Sequence, residues 1–130
     1  MKVSTRGRYG LRALVELARN KGVGAIPLRE IAEKQNISEQ YLEQLFSKLR
    51  KANLVESVRG AKGGYLLADE PENISVREVI VALEGPIAPV ECVIEDTEKC
   101  NHVDHCVTKV LWDKLKGCIN DMLSSITLKD

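Results

Sequence analysis

Two short alternating runs, Leu54-Val55-Glu56-Ser57-Val58 and Tyr65-Leu66-Leu67-Ala68, flank the turn segment Arg59-Gly60-Ala61-Lys62-Gly63-Gly64. Alternation between two residue faces is the period of a strand, and a glycine-rich break between two such runs predicts a β-hairpin. The three glycines allow tight turning and close backbone approach. Arg59 and Lys62 stand at the tip, where long cationic side chains can reach phosphate or a narrow minor groove. A hairpin this small buries little by itself, so what precedes it decides the fold.

Helical periodicity precedes it. Gly10, Ala13, Leu14, Leu17 and Ala18 repeat at the spacing of one buried stripe, which predicts a helix from about Thr5 to Asn20, broken by Lys21-Gly22-Val23-Gly24. Pro27 suits a helix start, and Leu28 to Lys34 forms a short second helix that stops at Asn36. Ser38 caps a third helix running to about Ala52, with Leu42, Leu45, Phe46 and Leu49 inside and Glu39, Gln40, Glu43, Gln44, Ser47 and Lys48 outside. Two helices joined by a short turn, the second with a long-armed polar face, make a helix-turn-helix whose second helix can enter a major groove about 12 Å wide. With the hairpin, the expected fold is mainly α with a small β-hairpin wing.

Beyond the hairpin, Ser75-Val76-Arg77-Glu78 matches a capping box and opens a helix carrying Val79, Ile80 and Leu83, ended by Gly85-Pro86. Residues 85–106 show no sustained periodicity and read as a long irregular loop, a length that usually signals function. From Val107 to about Thr127 a final helix carries Leu111, Leu115, Cys118, Ile119, Met122, Leu123 and Ile126, so that the last residues are expected to lie within a helix. A small domain buries such a near-heptad stripe best against a second copy, which makes it a dimerisation helix; Cys118, on the stripe, is expected to act as a small core hydrophobe. Three parts follow: a reading head over 1–84, a cysteine-bearing loop over 85–106 and a dimerisation helix over 107–130.

The formal charge is zero, yet the charges are segregated. Residues 1–68 hold 13 Lys and Arg against 6 Asp and Glu, while residues 69–130 hold 6 against 13. A basic half attracts phosphate through counterion release and an acidic half is kept off DNA by the same field. No apolar run approaches the roughly 18 residues that a bilayer span needs, and the N-terminus lacks a signal-peptide pattern. The expected setting is the cytoplasm, with double-stranded DNA as partner and no membrane.

Cys92, Cys100 and Cys106 fall within fifteen residues, and both histidines, His102 and His105, lie among them. In a reducing compartment such a cluster points to ligands or redox groups rather than structural disulfides. Thiolates with imidazole suit zinc or iron-sulfur clusters, and the spacing alone does not choose between them; a zinc staple and switching thiols stay open. No enzymatic constellation is present, and Gly60-Ala61-Lys62-Gly63-Gly64 lacks the spacing and following hydroxyl of a phosphate-binding P-loop.

Ser4-Thr5-Arg6-Gly7-Arg8-Tyr9-Gly10, the stretch Ser38 to Arg50 around Tyr41-Leu42-Glu43-Gln44-Leu45, and Val58-Arg59-Gly60 through Gly63-Gly64-Tyr65-Leu66-Leu67 together resemble the IscR-type iron-sulfur cluster regulators, in the superfamily that also contains CymR and NsrR. The resemblance covers nearly the whole chain. It implies that Ser38, Gln40, Tyr41 and Glu43 meet DNA, with Glu43 accepting from a cytosine amino group. Gln44 and Lys48 extend that face, and Arg59 resembles a minor-groove arginine. It also implies that Cys92, Cys100 and Cys106 hold an iron-sulfur cluster, two-iron before four-iron, with zinc as the alternative.

Two departures stand out. Three positions after the third cysteine, where the IscR branch has a histidine, this chain has Lys109, a poor ligand, which leaves His102, His105 or Asp104 as the fourth. The gap between the first two cysteines is also longer than in that branch. Meanwhile Glu84-Gly85-Pro86-Ile87-Ala88-Pro89-Val90-Glu91 resembles the CymR branch, which controls cysteine metabolism without a cluster. The expected function is a transcription regulator, a repressor type, sensing cluster status and controlling cluster biogenesis. The alternative is a regulator of sulfur metabolism governed by thiol redox, zinc or a regulatory protein partner.

Overall fold

The computed structural model describes residues 4–61, 63–88 and 108–130. In chain order these form α1 (Thr5–Arg19), α2 (Leu28–Gln35), α3 (Glu39–Lys51), β1 (Val55–Val58), β2 (Gly64–Leu67), a 3-10 turn at Pro71–Asn73, α4 (Val76–Glu84) and α5 (Lys109–Ser125). Lys62, Cys92, Cys100, His102, Asp104, His105 and Cys106 lie outside the described residues.

The apolar stripes converge on one core. α1 buries Gly7, Gly10, Ala13, Leu14 and Leu17, with Ala18 packed at the margin. α3 contributes Leu42, Leu45, Phe46 and Leu49, and α4 contributes Val79, Ile80 and Leu83. At Gly10 the Leu83 side chain of α4 packs directly over the α1 backbone, in the space that a Cβ would take. Asn36 closes α2 in the left-handed region (φ 55°), its amide reaching back to Ala32 and Glu33, and this sharp reversal aims α3 away from α2. Ser38 then caps α3 by accepting from the Tyr41 amide at 3.1 Å.

The hairpin is antiparallel, with Val55 opposite Leu67 and Val58 opposite Gly64. A third extended segment joins it at a single residue: Ile26 and Tyr65 exchange both backbone bonds at 2.9 Å. Alternation along the sequence predicts two strands only. Ile26 sits between Gly24 and Pro27, and a residue before proline is pushed to extended backbone, which is the local signal for this pairing. After β2, the Asp69 carboxylate accepts from Asn73 Nδ2 (3.1 Å) and from the Glu70 amide (2.7 Å). The Asn73 bond first, then the Glu70 amide, hold this carboxyl below its ordinary value. The turn's contribution is therefore present at neutral pH and falls away as acid protonates the group.

The capping box at α4 is reciprocal: the Ser75 amide donates to Glu78 Oε2 at 2.8 Å, and the Glu78 amide donates to Ser75 Oγ at 3.1 Å. α5 departs from its periodicity in two ways. It ends at Ser125, short of Thr127: Ile126 is extended, Thr127 bridges Ser75, and Leu128 is buried in the head's core. The bonds Val76 N to Ile126 O (2.8 Å) and Leu128 N to Ile74 O (3.0 Å), with the burial of Leu128, outweigh another helical turn.

The second departure is Cys118, which is exposed and not a core residue. The stripe has split along one helical step: Ile119 and Leu123 are half-buried, whereas Leu111, Leu115 and Met122 are 54%, 39% and 55% exposed, and Cys118 shares their face. Asn120, on the half-buried side, ties α5 to the head by accepting from Arg77 Nε (2.7 Å) and donating to the Ile87 carbonyl (3.1 Å), while it also donates to the Lys116 carbonyl of its own helix (2.8 Å). No helix among the described residues is long and apolar enough to cross a membrane.

Candidate nucleic-acid interface

The exposed side of α3 is the outcome of its own burial pattern. With Leu42, Leu45, Phe46 and Leu49 committed to the core, the helical period turns Gln40, Glu43, Gln44 and Lys48 outward, and all four are exposed. Among the described residues none of them has an ion-pair partner, so their hydrogen-bonding groups are available to a groove. Ser38 is exposed too, although its hydroxyl oxygen is engaged in the cap. The basic last turn, with Lys48, Arg50 and Lys51, complements the helix dipole and adds cationic charge to the same half of the chain.

Tyr41 is placed differently from its neighbours. It is half-buried against the core, its ring meets Tyr9 edge-on at 6.3 Å and 85°, and its hydroxyl lies 3.1 Å from the Thr5 hydroxyl. Arg12 completes the column, 5.7 Å from the Tyr9 ring centroid. The first turn of α1 is thereby brought to the front of α3, a placement that local periodicity does not carry and that sequence reading missed.

The wing leaves α3 through Leu54, whose amide donates to Leu49 O at 3.0 Å. Its tip is closed by Gly63 N to Gly60 O at 2.9 Å, and Arg59 is exposed. Phe46 supports it from inside, its ring edge-on to Tyr65 at 4.9 Å. The structure thus brings Gln40, Glu43, Gln44 and Lys48 onto one face and holds Arg59 on a hairpin braced by that same helix.

The metal-ligand candidates belong to the segment outside the described residues. Among the described residues no group of three His, Cys, Asp or Glu side chains comes together to hold a metal ion. The donor set of that segment, three thiols and two imidazoles in fifteen residues, fits soft-metal ligation by its chemistry.

The sequence matches the Rrf2 family, described as "Iron-dependent Transcriptional regulator", over residues 3–130. It is 48% identical to the HTH-type transcriptional regulator CymR of Bacillus subtilis, across all of this chain and 88% of that protein. The solved structure of CymR, titled the global cysteine regulator of B. subtilis, superposes with a TM-score of 0.80 at 47% identity, covering all of this chain and 95% of that one. The structure of IscR from T. potens gives the same TM-score, 0.80, at 48% identity, over all of this chain and 85% of that one.

Proposed function

Since the chain belongs to the Rrf2 family of DNA-binding transcriptional regulators and is not an enzyme, we propose that it is a homodimeric sensor of iron-sulfur cluster status, acting on genes of cluster biogenesis. The observation that carries this reading is the triad Cys92, Cys100 and Cys106 with His102 and His105 between them. Cys92, Cys100 and Cys106 would hold the cluster, two-iron before four-iron, with His102 as fourth ligand and His105 or Asp104 as substitutes. When bound, the cluster supplies a tie between separated points of one segment that is lost with iron shortage or oxidation.

The chain's own residues do the rest. The Ile87 carbonyl accepts from Asn120, and Asn120 also holds Arg77 of α4, so Ile87, α5 and the head share one polar joint. Such a joint can couple sensing to DNA only through different affinities of the two states. On DNA, Ser38, Gln40, Glu43, Gln44 and Lys48 face the major groove, Glu43 accepts from a cytosine amino group, and Arg59 and Lys62 of the wing reach the backbone or minor groove.

The deciding experiment is anaerobic purification with an absorption spectrum and iron, sulfide and zinc analysis, on the unsubstituted chain and on a variant with Cys92, Cys100 and Cys106 all replaced by alanine. Brown protein with iron and sulfide, lost in the variant, is the expected result. Colourless protein that takes up no iron after reconstitution would sink the cluster reading. A second reading, a regulator of cysteine metabolism controlled by thiol redox, zinc or a protein partner, draws on the 48% identity to CymR. Zinc bound by the triad, or an operator response to oxidant without iron, would select it.

Dimerisation is assigned to α5, whose Leu111, Leu115, Cys118 and Met122 form an apolar face without cover from the described part of this chain. A second copy of the same helix covers it and presents two reading heads to a two-fold operator. Leu115→Glu removes two buried leucines per dimer, at about 1.5–3 kcal/mol each. Sedimentation should show dimerisation weakened on the order of 100-fold or more, with the head's melting temperature little changed. A variant that stays fully dimeric at low concentration would reject this face.

A further inference from the structure

Thr5 Oγ1 and Tyr41 Oη, 3.1 Å apart, are the side-chain polar contact between the first turn of α1 and the front of the reading helix. Two hydroxyls carry two protons and spend one on their mutual bond. Whichever oxygen donates internally, the other hydroxyl's proton is left for an outside acceptor, and the internal bond polarises it further. Thr5 is exposed and Tyr41 half-exposed, so that proton has access to solvent or a ligand.

Tyr41 is held in place on three sides. Its amide donates to Ser38 Oγ, its ring lies edge-on to Tyr9, and its hydroxyl is bonded to Thr5. Swinging the phenol out to a base edge would break the last two contacts together. The neighbouring charges set what the pair accepts. Arg6 follows Thr5 on the same turn, is exposed and has no acidic partner among the described residues. The first turn of α1 carries no acidic residue, and Glu84, the acid that meets it, is engaged by the Ser4 amide at 2.6 Å.

We propose that Thr5 and Tyr41 form one hydroxyl clasp for a single DNA backbone phosphate, with Arg6 as its counter-charge. This rests on the chain being a DNA binder but not on any cluster. It assigns Tyr41 a positioning contact that is blind to base sequence, and leaves base reading to the outward face of α3.

The test is fluorescence-anisotropy titration of a labelled random-sequence duplex and of a selected operator duplex, at several salt concentrations. The proteins are the unsubstituted chain, Thr5→Val, Tyr41→Phe, the double variant, Thr5→Ser and Arg6→Gln. Each hydroxyl deletion should weaken binding to both duplexes alike by about tenfold, as for loss of a hydrogen bond to a charged group. Thr5→Ser should restore affinity. The double variant should lose less than the product of the single losses, because the two hydroxyls act as one unit. Arg6→Gln should lower the slope of log affinity against log salt by about one. Unchanged unfolding midpoints keep the comparison to binding.

Full affinity in both hydroxyl variants, multiplicative losses, or a loss confined to the operator would each overturn the clasp while leaving the DNA-binding reading in place. Failure of the unsubstituted chain to bind either duplex at low salt would overturn both together.

Discussion

Phe46→Ala is expected to lower the unfolding free energy by about 3–5 kcal/mol, the range for truncating a fully buried aromatic side chain. Phe46 is 0% exposed, lies on α3 among Leu42, Leu45 and Leu49, and packs edge-on against Tyr65 of β2. Removing the ring therefore opens a cavity between the reading helix and the wing, where Tyr65 cannot collapse inward without breaking its two backbone bonds to Ile26. Stabilities of domains this size run about 5–15 kcal/mol, so the variant would sit near the limit of folding. Urea denaturation of Phe46→Ala beside Phe46→Leu measures the effect. A loss below about 1 kcal/mol for the alanine variant would mean that this junction is not packed as described.

The second large effect is expected at Gly64. Its φ is +149°, and a Cβ there would run into the Ile26 carbonyl and the Pro27 nitrogen, which are backbone atoms that no rotamer change can move. Gly64→Ala should cost about 1–3 kcal/mol for the strained backbone alone, with the displacement of Ile26 added to it. The wing should tilt off β-bridge register with Ile26, so DNA affinity should fall together with stability. Gly60→Ala is the control. Gly60 also has a positive φ, +114°, but open space around it, so strain acts there without collision. Equal losses at the two positions in thermal unfolding would show that close approach to Ile26 contributes nothing.

These two sites also show how far the sequence could be read. The stripes of α1, α3 and α4, the Ser38 cap and the Ser75–Glu78 box involve residues within one or two turns of each other, and short-range periodicity carries them directly. The three glycines of the hairpin read alike as turn residues, yet only the structure separates their work: a Cβ at Gly63 would meet Val58 O and one at Gly64 would meet Ile26, whereas Gly60 faces open space. Ile26 with Tyr65, Thr5 with Tyr41, and Leu128 with Ile74 are pairings across 36 or more residues, and no local pattern encodes them.

Cys118 marks a different limit. Periodicity correctly grouped it with Leu111, Leu115 and Met122, but a period states which residues share a face, not whether that face meets its own chain. On α3 the same ambiguity did not arise, because an outward face of Gln40, Glu43, Gln44 and Lys48 is polar and needs no cover. The cysteine triad lies outside the described residues, so its donor chemistry rests on residue type and spacing alone.

The return of Ile126–Leu128 to the head bears on how the protein is made. Leu128 fills a place in the same core as Ile74 and Val79, and its amide closes on the Ile74 carbonyl. During synthesis the ribosome delivers residues 1–84 well before this piece, at roughly 5–20 residues per second. Until residue 128 clears the exit tunnel, the nascent head has an uncovered apolar site beside the start of α4. The interval in which that site stays open is therefore set by the arrival of residues 126–128 rather than by the completion of α1 to α3.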